Sequence, residues 1–401
     1  MKKILNFLLD NKILIAILLI IAIGFPTAIF KKAQGELTTI VVAVGIDKEE
    51  GKYRISIQSA NSLIKNTQTS ASINAQGDST PKLEVVDELG ESLTDAINKL
   101  EIKTGRTLGF EHCHLIVLSD SVTSENCKNV LDFFYRKANI TLGAYLISTD
   151  KSAKTVLEKT CESENTSTSN LQKNLGFNKN NFASANLTTI GDFFNDFYSE
   201  SKTSSMAFLK SETVMESGSS LVENNGDSAI FYNGKKFSVI DRNLTSGLNF
   251  VNLETVNGKM VLTNVNDGDV FNDATVSVKI DEGKIKKSIS AENDLAIINL
   301  QITLKIEVLE INTANENMDV SAGVENYLTD VLKDKIKEKI EGQVQAFHSY
   351  CKLNKIDVGN FFNFLYAYKN SEYKNMLNRF GVDEILENSV VNTKIDVYSF
   401  R

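Results

Sequence analysis

The sequence predicts an α+β protein: an N-terminal transmembrane helix followed by three mixed α/β domains, the last a curved, antiparallel-rich sheet packed by one long helix. Three observations carry this. Residues Ile13 to Phe30 hold no charged side chain and lie between Lys12 and Lys31. Strand-like and helix-like segments alternate after them, which argues for a mixed sheet covered by helices. Near the C-terminus Ile298, Leu300, Ile302, Leu304, Ile306 and Val308 alternate with polar residues, and Val324, Leu328, Leu332, Ile336, Ile340, Val344, Phe347 and Cys351 then recur at helical spacing.

As a helix the apolar run covers about 27 Å, close to the hydrocarbon thickness of a bilayer. A cleaved secretory signal is the rival reading, with Lys2 and Lys3 as its charged start. The run exceeds the roughly 7 to 15 residues of a signal core, and Pro26-Thr27-Ala28 is followed by bulky Ile29 and Phe30. A retained anchor over residues 1–34 is therefore expected. Lys2, Lys3 and Lys12 before the run against Lys31 and Lys32 after it give only a slight orientation bias. No second apolar run of comparable length follows, so the remainder should form a soluble body on one side of the membrane.

A net charge of -8 and a pI near 5.2 argue against nucleic acid as a partner, because phosphates require a basic face. Protein partners fit better. Cys113, Cys127, Cys161 and Cys351 are too sparse for a disulfide framework. Their even number permits bridges without requiring any, and Cys351 falls on the apolar side of the long helix as a small buried hydrophobe.

The first α/β domain is expected over 35–161. Leu37–Asp47 and Lys52–Ala60 flank a short polar link ending in Gly51, the pattern of an antiparallel hairpin. Residues 61–82 read as a loop. Ser92 can cap a helix carrying Leu93, Ile97 and Leu100, and a strand at His114–Ser119, a helix over about 124–137 and a strand over 142–148 follow. Residues 162–186 are polar and read as a linker. A small middle domain over 187–270 begins with a helix at 188–198 and contains strands at 228–232 and 236–241, joined by Asn233-Gly234, a strong hairpin signal. The C-terminal sheet-and-helix domain occupies 271–401 and closes on a strand around Ile395, Val397 and Tyr398 to Phe400.

Chemistry-bearing constellations are sparse. His112 and His114 would share one face of a strand on either side of Cys113, but a metal site needs three or four ligands and no partner stands at a matching spacing. Asp267-Gly268-Asp269 with Asn272 and Asp273 departs from the calcium-loop order of acids and glycine and reads as a turn. Neither a phosphate-binding loop nor a nucleophile elbow occurs. The charges from Lys333 to Lys339 read as a solvated helix face with pairs four residues apart. No catalytic, cofactor-binding or metal residue is assigned, no cofactor is expected, and the protein reads as a non-enzyme.

The order of segments resembles the Ger(x)C family of spore germination proteins, the C subunits of GerA-type germinant receptors. Val41–Ile57 is similar to the family's opening hairpin. Ser92–Ser119, with Leu100, Lys103, Gly105, Arg106 and His112 or His114, and Leu131–Leu146 continue the likeness. Ile190-Gly191-Asp192-Phe193-Phe194 and Ala229–Lys235 resemble its middle portion, and Ile356-Asp357-Val358-Gly359 with Tyr366–Phe380 its terminal part. Family members carry a lipobox cysteine followed by Trp-Asp, whereas here no Cys precedes Cys113 and Trp is absent. The resemblance implies a divergent, non-enzymatic subunit whose helix replaces the lipid. Its body would be extracytoplasmic, and it would work with multi-spanning A- and B-type partners in the spore inner membrane during nutrient-triggered germination. A membrane-anchored extracellular binding or assembly module unrelated to germination, and a surface hydrolase, stand as alternatives.

Overall fold

The computed structural model describes residues 38–59, 84–125, 127–162, 186–210, 226–253, 255–268, 273–292, 295–313, 317–318 and 327–399. The expected anchor at Ile13–Phe30 and the loop at 61–82 lie outside the described residues, as does the polar linker apart from its ends. Among the described residues no helix is long and apolar enough to cross a membrane.

The chain builds two sheets. The first opens with β1 (Thr38–Glu49) and β2 (Lys52–Ser59), paired antiparallel around Glu50 and Gly51, both at positive φ. The strands run further than the apolar pattern suggests, so the link shrinks to two residues, the length that suits the right-handed twist of a hairpin. Then come β3 (Glu84–Gly90), α1 (Leu93–Thr104), β4 (Thr107–Gly109) and β5 (Leu115–Ser119), followed by α2 (Asp120–Thr123), α3 (Cys127–Arg136), β6 (Tyr145–Thr149) and α4 (Ala153–Glu162). After the linker come β7 (Thr188–Thr189), α5 (Ile190–Phe197), β8 (Thr203–Leu209), β9 (Ser228–Tyr232) and β10 (Lys235–Ile240). The strand order is β10-β9-β8-β6-β5-β1-β2-β3, with β4 on β1 and β7 on β6.

Parallel pairing of β1, β5, β6 and β8 at the centre requires both faces to be covered. Val44, Ile46, Ile116 and Leu118 face α1, α3 and α5, which contribute Leu100, Phe134 and Phe193. Ala43, Leu115 and Val117 face α4 through Ala153, Val156 and Leu157. That two-sided burial explains why β1 and β5 read as continuous apolar runs. Strand β3 has no such signature, because on this edge polar Asp87 takes Arg54 at 2.5 Å and Lys154 at 2.9 Å.

Helix α6 (Arg242–Asn252) leaves the first sheet and leads into β11 (Thr255–Val265) of the second. The segment expected as a small middle domain is thus divided: β8, β9 and β10 extend the first sheet and β11 edges the second. The second sheet runs β11-β12-β13-β14, with β12 (Ala274–Glu292), β13 (Leu295–Asn312) and β14 (Asn317–Met318) antiparallel, and β15 (Ser389–Ser399) parallel to β13. The alternation at 298–308 is the inner face of β13. Across it lies α7 (Asp330–Asn354), capped by the Thr329 hydroxyl, with Leu332, Ile336, Ile340, Val344, Phe347 and Cys351 buried. Its outer face carries Lys333–Asp330, Lys337–Asp334 and Lys335–Glu338 pairs three residues apart, rather than the expected four. Helices α8 (Phe361–Tyr368), α9 (Asn370–Phe380) and α10 (Val382–Glu387) complete the body.

The two sheets share packing. Gly247 on α6 touches α7 so closely that a Cβ there would sit 2.3 Å from the Gln343 carbonyl oxygen. Thr245 on the same helix donates to Ser228 of β9 at 3.1 Å, and Ile230 and Ile240 of the first sheet belong to the core beneath α7.

Candidate functional site at the joint between the sheets

Helix α7 ends where Lys355 enters the left-handed region and its amide turns back to the last carbonyls. The turn Ile356-Asp357-Val358-Gly359-Asn360, which joins α7 to α8, then lies against the first sheet. Asp357 is the pivot of this contact. Its carboxylate is buried and accepts from the amides of Phe361 at 2.9 Å and Phe362 at 2.8 Å, which opens α8. The hydroxyl of Ser201, just before β8, donates to the same carboxylate. Thr203 on β8 donates to the Asp357 carbonyl at 2.6 Å. Burial raises the Asp357 pKa, and the Ser201 hydroxyl and the two amides offset this only in part.

Beside the pivot, Asn360 donates through Nδ2 to Asp196 of α5 at 3.1 Å, and Asn252 of α6 donates to the Val358 carbonyl at 3.2 Å. These bonds tie α5, α6 and β8 to one five-residue turn. A cleft of about 600 Å³ opens here, with Asp196, Asn252, Lys287, Asn360, Phe364 and Tyr368 among its walls. Burial lifts the Asp196 carboxyl to about 7; the Asn360 amide opposes the rise, and the Asp192 and Asp357 carboxylates add to it. Burial lowers Lys287 to about 8 despite the pull of Asp357. Its ammonium lies 5.4 Å from the centre of the Phe364 ring, a cation–π geometry.

The residues singled out in the sequence lie elsewhere. His112 and His114 are both exposed and flank buried Cys113, while His348 is buried in α7 and bonded to Ser389 at 2.7 Å. Among the described residues no group of three or more His, Cys, Asp and Glu could hold a metal. Cys113, Cys127 and Cys351 are buried and free; burial pushes the Cys113 thiol up to about 12. Asp267 and Gly268 follow β11, with Gly268 at positive φ, while Asp269 and Asn272 lie outside the described residues. Asp357 was legible only as part of the Ile356–Gly359 likeness, and Asp196, Lys287 and Asn360 carried no sequence signal, being isolated polar residues in unrelated segments.

One parallel-centred sheet and one antiparallel sheet are thus bonded to each other through the buried polar turn at Asp357. The family model for the spore germination protein N-terminal domain matches residues 35–211, and the one described as spore germination B3/GerAC like, C-terminal, matches 226–399. The chain belongs to this Ger(x)C family. A solved structure described as the crystal structure of the GerBC protein shares the fold, with a TM-score of 0.52 at 16% identity over 89% of this chain and 97% of that one. No curated protein matches.

Proposed function

We propose that this protein serves as the C subunit of a nutrient germinant receptor, held to the spore inner membrane by Ile13–Phe30 with its body extracytoplasmic. It acts through contacts with multi-spanning A- and B-type subunits and performs no bond chemistry. The observation that carries the reading is the pair of family matches in order over 35–211 and 226–399. The GerBC likeness supports the fold it requires. A spanning helix would hold the body more firmly than one acyl chain. The bonding at the joint supports a body that transmits contact from one sheet to the other rather than two independently moving pieces. Deleting the gene should leave spores heat-resistant yet unresponsive to at least one nutrient, with the response restored by the full chain. Spores that respond unchanged to every nutrient would overturn the receptor role.

A further inference from the structure

Strand β15 leaves the second sheet with an open edge. On one side it pairs with β13 from Ala296 to Ile306, and among the described residues no strand pairs with the other. The Asn388 carbonyl accepts from Ala296 of β13, so along the strand the even-numbered residues bond to β13 and the amides and carbonyls of the odd-numbered ones point outward. The first two outward carbonyls are covered by α7: Ser389 accepts from Lys352 at 3.3 Å and Val391 from Gln345 at 2.7 Å. Those of Thr393, Ile395 and Val397 meet no donor among the described residues. An edge of this kind is a template for another strand. The side chains alternate as well. Val391 and Val397 enter the core beneath α7, while Val390, Lys394 and Tyr398 are exposed on the opposite face. Lys394 and Asp396 stand on that face on either side of Ile395, and neither has an ion-pair partner among the described residues. Lys337, a cation whose field reaches Asp396, is itself bonded to Asp334 at 2.8 Å.

We propose that β15 pairs antiparallel with β15 of a second copy of this chain, about a two-fold axis at Ile395. The register follows from the open groups and the charges. Only odd-numbered residues can be bonded across, so the axis falls at a residue of the strand rather than between two. At Lys394 or at Asp396 it would set that residue against its own copy, and like charges directly opposite are destabilising. At Ile395 it sets Lys394 against Asp396 on both sides of the axis, in the closer, non-hydrogen-bonded positions, where opposite charges stabilise the pair. Ile395 then exchanges both backbone bonds with its copy, and Thr393 exchanges them with Val397. Asn392 falls opposite Tyr398 and covers part of a residue that is otherwise 55% exposed. A second copy fits better than an unrelated strand because the charges make this edge complementary to itself.

This contact goes beyond the receptor role, and its test reads mass rather than germination. Sedimentation velocity of the full chain in density-matched detergent is run at rising protein concentration, and the unaltered chain should reach a dimer. Lys394→Asp and Asp396→Lys each set like charges opposite on both sides of the axis. Each should weaken self-association about tenfold or more while melting like the parent. Mixed in equal amounts, the two variants should recover the dimer, because every charge pair across the axis is then opposite in sign; both substitutions in one chain should recover it too. A chain that is monomeric throughout, whose edge would then be bare or left to a different protein, would overturn the proposal. So would a dimer that neither substitution weakens, or two variants that fail to associate when mixed. Should a charge variant fail to fold, Ile395→Pro decides the matter: it removes an outward amide and no bond to β13, so it should abolish the dimer, and a dimer that survives it would overturn the proposal equally.

Discussion

Replacing Asp357 by Ala removes the acceptor through which the α7–α8 turn is bonded to the first sheet. The amides of Phe361 and Phe362 lose a helix-start cap, a change that typically costs about 0.5–2 kcal/mol. The Ser201 hydroxyl is left buried without its acceptor, about 1–3 kcal/mol more. Relief of burying a carboxylate whose pKa is raised offsets part of this, so a net loss of about 2–3 kcal/mol is expected. A group whose folded pKa is raised stabilises the fold most when protonated, and that stability fades as pH rises from the unfolded pKa through the folded one. The Asp357→Ala penalty should accordingly shrink as pH rises through that range. Urea denaturation of the full chain in detergent, at several pH values, measures it. Combined with Ser201→Ala, the two losses should be less than additive, because both break one bond. A penalty under about 0.5 kcal/mol, the size of an ordinary surface change, or strict additivity, would refute the idea that this carboxylate holds the joint.

Leu332→Asp with Ile336→Asp should unfold the second sheet's core, since both sites are buried beneath α7 and the charges would lack partners; loss of cooperative melting checks it. His112→Ala with His114→Ala, both exposed, should shift stability by no more than about 0.5 kcal/mol, and a larger shift in melting would reveal a bond at that turn. Gly247→Val should lower stability by at least about 1–3 kcal/mol, because even a Cβ would meet the Gln343 backbone; a parent-like urea midpoint would contradict the close helix contact. Two buried groups should also give opposite pH slopes. Burial lowers His348 to about 4, so its contribution is present above the unfolded pKa and is lost as pH falls from about 6.5 towards 4. Asp196, raised to about 7, removes stability as pH rises from about 4 to 7. His348→Gln should erase the first slope and Asp196→Asn the second, each read from melting against pH.

The parts of the fold visible in the sequence are those where local pattern and tertiary role agree. β13 alternates because one face meets α7, and α7 shows its stripe because one side closes that core. Gly51 and Asn233-Gly234 announce their turns through residues that accept positive φ. What stayed hidden is what depends on distant partners. β3 is polar because it sits near the edge and feeds Asp87 to Arg54 and Lys154. β8 to β10 read as a separate unit because nothing local says that β8 pairs with β6 across the polar linker. Helix α6, rich in Asn, Ser and Thr, has weak helix formers and is held by packing at Gly247 and Thr245. The cleft was illegible for the same reason: Asp196, Lys287 and Asn360 are far apart in sequence and meet only once the sheets are joined.

Whether this chain is a membrane-held receptor subunit is tested most directly by purifying a C-terminally tagged full chain from detergent-solubilised spore inner membranes and identifying what accompanies it. An intact N-terminus through Ile13–Phe30 and co-purification of two multi-spanning subunits in fixed proportion are expected. Recovery of a soluble, N-terminally shortened product, or of the intact chain without those subunits, would contradict it.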